Sequence, residues 1–160
     1  MMQDYRCVKT VREIVVIIIS AIIFVLSITF GNIQYEANDD TIINLIAAGA
    51  YGERSQSLVH NGILFGFFIK ILYRLFQSVN CYLILYLVLN LLALMVLCHM
   101  LSSAFMKVFT NPDKKRSAWR DIFWTGIITV EINLLLVKDF YINLQYPKNG
   151  EIYAGIGLHI

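Results

Sequence analysis

Residues 81–105 read CYLILYLVLNLLALMVLCHMLSSAF, from Cys81 to Phe105, and contain no Asp, Glu, Lys or Arg. About 20 residues of apolar helix cross the hydrocarbon core of a bilayer, so these 25 residues predict a transmembrane helix with length to spare for tilt. The residues after Phe105 set its direction. Lys107, Lys114, Lys115, Arg116 and Arg120 stand against the single acid Asp113, around the turn signal Asn111-Pro112-Asp113. The positive-inside rule places this 106–120 loop in the cytoplasm.

The whole chain has the same character. Of its 160 residues, 58% are hydrophobic and 15% charged, and the mean hydropathy is +0.66, far from the balance of a soluble globular domain. A net charge of +2 is too small for a nucleic-acid partner, and the basic residues border apolar runs instead of forming a groove-binding face. Cys7, Cys81 and Cys98 form no CxxC pair and no ligand spacing with the histidines, which reads as three structural thiols.

Two further runs flank the central one. Ile14 to Phe30 carries no charge, and Arg6, Lys9 and Arg12 precede it. The run exceeds the usual ~7–15-residue core of a signal peptide, and Thr29-Phe30-Gly31 offers no cleavage pattern, so it reads as an uncleaved span over 14–30. A third span is predicted at 121–138, with Trp119 and Trp124 as interfacial anchors and Glu131 near its middle. An acid there costs about 2.5–3.5 kcal/mol on insertion scales, which predicts that Glu131 faces the protein interior, with Asn90 as a candidate partner at similar depth.

Both basic flanks want the cytoplasm, so the chain between them crosses an even number of times. Residues 58–76 then form an interfacial amphipathic helix instead of a span, with Gly62, Gly66, Lys70, Arg74 and Gln77 along one face. The 31–57 loop lies outside. In it Asn38-Asp39-Asp40 precedes a helix-compatible stretch, Thr41 to Ala48, that Gly49 and Gly52 would stop. Helix-dipole stabilisation, about 0.3–1 kcal/mol per carboxylate, is one sufficient reason for Asp39 and Asp40; a catalytic role is the other. Tyr146 to Gly150 reads as a turn, and Ile152 to Ile160 as the start of a truncated fourth span. The fold expected is all-α: an integral membrane protein of the cell membrane with a cytoplasmic N-terminus, three transmembrane helices, and short extracytoplasmic and interfacial helices, as one unit over 1–160.

The order Asn38-Asp39-Asp40, Ala48-Gly49-Ala50-Tyr51-Gly52, His60-Asn61-Gly62 to Gly66, then Leu72-Tyr73 resembles the N-terminal part of the GT-C class of polytopic membrane glycosyltransferases, including the protein mannosyltransferase-like and aminoarabinose-transferase-like families. The resemblance covers roughly residues 14–105. It implies transfer of a sugar from a polyprenyl-phosphate donor at the outer membrane face. Asp39 or Asp40 would then be the base, or ligands of Mg²⁺ or Mn²⁺. Lys70 and Arg74 would hold the lipid phosphate, and Glu36, Tyr51, His60 and Asn61 would contact substrate. Two alternatives stand beside it: a small non-enzymatic membrane protein assembling with helices from another chain, and a transporter-like piece using Glu131 as a relay.

Overall fold

The computed structural model describes residues 2–35, 38–55, 63–109 and 118–144. Helix α1 spans Met2–Phe30, α2 Asn38–Ala48, α3 Ile63–Leu75, α4 Cys81–Phe109 and α5 Ala118–Val137, and α5 continues into a π-helical turn, Lys138–Ile142. Two short strands, β1 (Gln34–Tyr35) and β2 (Asn143–Leu144), pair in parallel with Gln34 opposite Asn143. Among the described helices, two are long and apolar enough to cross a membrane, over Cys7–Phe30 and Cys81–Val108. Helix α5 is shorter and carries Arg120, Asp121 and Glu131.

Side-chain contacts give the directions of the three long helices. Arg12 Nε donates to Thr125 Oγ1 (2.9 Å), Asn133 Nδ2 reaches Ser20 Oγ (3.1 Å), and Gln34 lies beside Asn143; residue numbers rise together, so α1 and α5 run parallel. On α4 they fall as those on α5 rise. Phe105 packs on Trp124, Cys98 Sγ lies 3.4 Å from Asn133 Nδ2, and Asn90 Nδ2 donates to the Phe140 carbonyl. Helix α4 is therefore antiparallel to both. The end of α1, the start of α4 and the end of α5 share one pole, where α2 and α3 form a cap, and the end of α4 and the start of α5 share the other. Helix α3 rests its buried residues Gly66, Ile69 and Tyr73 against the cluster that holds Ile43 and Ala47 of α2 and Cys81 and Tyr82 of α4. Its 13 residues extend only about 20 Å.

The interior of the three-helix bundle is polar. Asp121, Thr125, Thr129 and Asn133 recur every fourth residue on the buried face of α5, opposite Ser20 of α1 and Asn90, Cys98 and Ser102 of α4, all buried. Helical residues four apart share a face, and small polar side chains let backbones approach while hydrogen-bonding across the seam. Thr125 and Thr129 also return bonds to the carbonyls of Asp121 and Thr125, at 2.8 and 2.7 Å. Asn133 joins all three helices.

The boundaries differ from the sequence-based expectation in ways that have local causes. Helix α1 begins at Met2 instead of at residue 14, because a charged segment remains helical where it can make pairs such as Lys9 to Glu13, 3.9 Å apart; hydropathy locates the apolar run and not the helix. Helix α4 continues to Phe109, four residues past the predicted end, and shortens the 106–120 loop. The third helix passes its charged terminus at Lys138 and Asp139 because Phe140 and Tyr141 bury completely against α4. The predicted helix start at 58, and the turn and apolar run after residue 144, lie outside the described residues.

Candidate functional site

The cap contains a cationic groove and, at the opposite end of α2, a closed polar cluster. The groove begins with the way α2 stops. Gly49 takes a φ of +85° and Gly52 one of +129°, left-handed values that side chains with a Cβ rarely adopt. The Ala50 N–H reaches back to the Leu45 carbonyl at 3.0 Å and the Gly49 N–H to the Ile46 carbonyl at 3.2 Å, the paired bonds of a Schellman C-cap. Arg54 then folds over the helix end, its Nε donating to the Ala48 carbonyl at 3.3 Å. A Cβ on Gly49 would stand 2.9 Å from Arg54 Cγ, so glycine is also what lets Arg54 pack there.

Folded back in this way, Arg54 joins Lys70 and Arg74 of α3 around a groove of about 460 Å³, completed by Ala48, Gly49, Gly52 and Glu53. Among the described residues three cations face one carboxylate there. Lys70 is half-buried and Arg74 exposed, because on α3 they stand one position beyond the buried Ile69 and Tyr73 and so flank the α2–α3 seam. The sequence stripe that paired Lys70 with Arg74 is thus brought together in space. Arg54 was missing from that stripe; its signal was a basic residue just after a glycine helix stop, where it can meet free carbonyls.

At the other end of α2, Asp40 is 1% exposed and accepts a hydrogen bond from Tyr82 Oη at 2.8 Å. Tyr82 lies against Tyr35 and stacks on Tyr86, with ring centroids 6.0 and 6.1 Å away. Tyr73 is the hub beside them. Its hydroxyl donates to Asn44 Oδ1, has Asn80 Oδ1 at 3.1 Å and accepts from the Tyr82 N–H at 3.3 Å. Asn80 also caps α4 by accepting the Leu83 N–H at 3.0 Å. Burial raises the phenol pKa of Tyr73, and burial likewise pushes Tyr35 up to about 12, partly opposed by Asn80. The cluster ties α2, α3 and the start of α4 together.

Asp40 therefore turns inward to α4 instead of opening to an outer cleft. Asp39 stands in the first turn of α2, and its side chain lies outside the described part, as do Glu36, His60 and Asn61. Tyr51 is 73% exposed and does not line the groove. Among the described residues no three His, Cys, Asp or Glu side chains gather; of the two aspartates expected to bind Mg²⁺ or Mn²⁺, only Asp40 has a described side chain, and its Oδ1 accepts from Tyr82 Oη. No family profile, curated protein or solved structure matches this chain.

Glu131 is the other correction. It is exposed on α5, on the side away from the bundle, while Asn90, its expected partner, is wholly buried and bonded to the Phe140 carbonyl. Successive residues turn about 100° around a helix, so Glu131 lies roughly opposite Thr129 and Asn133. The inner face of α5 is already filled by those two.

Proposed function

We propose that this chain is an integral membrane protein in which α1, α4 and α5 cross the bilayer and the α2–α3 cap binds the phosphate of a membrane lipid. Ile14, Ile17, Ile18, Ile22, Val25 and Leu26 of α1 are all exposed, a contiguous apolar surface that water does not favour and lipid does. Arg12, Lys107 and Arg120 gather at the pole opposite the cap, which by the positive-inside rule is the cytoplasmic one. The cap then lies on the outer face.

One observation carries the binding assignment: Arg54, Lys70 and Arg74 converge on a single groove, and α3, which supplies two of them, exposes Leu64, Phe68, Ile71 and Leu75 on the adjoining side. A helix built this way lies in the interface, with apolar side chains among the acyl chains and cations at phosphate level. Arg54 and Arg74 supply planar guanidinium donors that match phosphate oxygens in pairs, and Lys70 adds a point charge.

Sugar transfer from a polyprenyl phosphate is the second reading, favoured by the order of elements, with α2 and α3 between α1 and α4 and two aspartates at the start of α2. In it the groove holds the departing phosphate and an aspartate accepts the acceptor's proton. Asp40 and Ala48 are eight residues apart on α2, about 12 Å along its axis. A base and a leaving phosphate acting on one carbon stand closer than that, so binding takes precedence.

The test uses the purified chain in nanodiscs, with polyprenyl phosphate compared against the uncharged polyprenol. Each basic residue near a headgroup contributes about 1 kcal/mol, so Arg54→Gln, Lys70→Gln or Arg74→Gln should each weaken the phosphate lipid about fivefold and the triple variant roughly a hundredfold. Polyprenol binding should not change. Equal binding of both lipids by the triple variant and the parent would remove the assignment.

A further inference from the structure

Glu131 occupies the middle of the helix formed by α5 and its π-helical extension, 118–142. It lies about 20 Å from one end and about 16 Å from the other. Its neighbours on the outward face are apolar: Phe123, Val130, Leu134 and Leu135 are all exposed. Beside it runs a groove of about 490 Å³ between α1 and α5, lined by Ile19, Ile122, Phe123, Gly126, Ile127, Val130 and Glu131. Among the described residues Glu131 is the only ionisable one in that lining. No described residue pairs with it, whereas the polar residues on the inner face of α5 have partners: Thr125 is held by Arg12, and Asn133 by Ser20 and Cys98.

We propose that this α1–α5 groove is the docking site of a further membrane-spanning helix that brings a Lys or Arg to the depth of Glu131. The inference rests on the proposed membrane insertion of α1 and α5. A carboxyl among apolar side chains in hydrocarbon is unfavourable until a donor covers it, and a basic side chain is the complement that both neutralises it and hydrogen-bonds to it. Gly126 provides the shallow point of the groove, where only Ile19 and Val15 lie near and at ordinary contact distance, 3.8 and 3.9 Å from a built Cβ; small residues at such points let a neighbouring backbone approach. A second copy docked about a twofold axis here would set Glu131 against Glu131, acid against acid. Lipid headgroups cannot reach this depth.

The test places the full chain in proteoliposomes with synthetic transmembrane peptides of leucine and alanine carrying a central Lys, Asp or Leu, and association is read by energy transfer. The Lys peptide should bind the parent roughly tenfold tighter than the Leu peptide. Glu131→Leu and Glu131→Gln should lose that preference, and Glu131→Lys should transfer it to the Asp peptide. Because Glu131 points away from the bundle, unchanged thermal unfolding identifies variants that keep the fold. A Lys preference that survives in Glu131→Leu overturns the proposal, as does equal binding of the Lys and Leu peptides by the parent. Self-association that requires Glu131 overturns it in favour of a second copy. If carbonate extracts the chain from membranes, the membrane reading itself fails and the docking site falls with it; a chain that stays inserted without a Lys preference refutes the docking site alone.

Discussion

Replacing Tyr82 with Phe removes one hydroxyl from a place where both partners are dry. Tyr82 and Asp40 are each 1% exposed, and the Tyr82 Oη to Asp40 Oδ1 distance is 2.8 Å. A hydrogen bond to a carboxylate contributes about 1.5–3 kcal/mol. Tyr82→Phe should therefore destabilise the cap by about 2–3 kcal/mol. Asp40→Asn keeps an oxygen that can accept the same bond and loses mainly the charge at the start of α2, so it should cost only about 0.5–1 kcal/mol. The two positions touch, and the double variant should cost less than the sum by about 1–2 kcal/mol. Reversible unfolding in bicelles, followed by steric trapping with labels on either side of α2, measures all four corners of the cycle. Strictly additive effects, within the ~0.3–0.5 kcal/mol expected of independent sites, would refute the reasoning. Asp40 would then owe nothing to Tyr82 and would return as a group available to substrate.

Asn133→Ala removes two contacts that join α5 to α1 and α4, each typically about 0.6 kcal/mol in membrane proteins, and opens a small void. It should lower unfolding stability in micelles by about 1–3 kcal/mol, whereas Leu135→Ala on the outward face should change it by less than about 0.5 kcal/mol. Tyr35 has its phenol pKa raised from 10.0 to about 12, so the folded state keeps a proton that the unfolded chain releases. Stability is fully present below 10.0 and declines as pH rises towards about 12; a tyrosinate absorbance titration should show this late phenol, and Tyr35→Phe should flatten the decline. Cysteines introduced at Lys107 and Glu53 should label from opposite sides of sealed cells, Glu53→Cys from outside, and labelling of both from one side would undo the proposed topology.

Much of the fold was legible because its determinants are local. The apolar run at 81–105, the glycine stop at Gly49 and the acidic start of α2 can each be read from a few neighbouring residues, since hydropathy, capping and left-handed backbone preference act over short range. The stripe of Lys70 and Arg74 along one face of α3 was legible for the same reason, as it follows from helical spacing. The site was less so. Arg54 becomes its third cation only after the chain has turned back at Gly49 and Gly52, and the burial of Asp40 depends on Tyr82, which comes from another helix.

By itself the sequence determined which segments are helical, that two of them, in α1 and α4, are long and apolar enough for a membrane, and where positive charge collects. Only the tertiary structure decided how each helix is rotated about its axis. Helix α5 has polar groups on two opposed sides, with Thr125, Thr129 and Asn133 on one and Glu131 on the other, and hydropathy assigns no priority between them. Ser20 of α1 and Cys98 of α4 lie within hydrogen-bond reach of Asn133, and no described group pairs with Glu131. Once Asn133 faces inward, the roughly 200° between positions two residues apart on a helix turns Glu131 out to the surface.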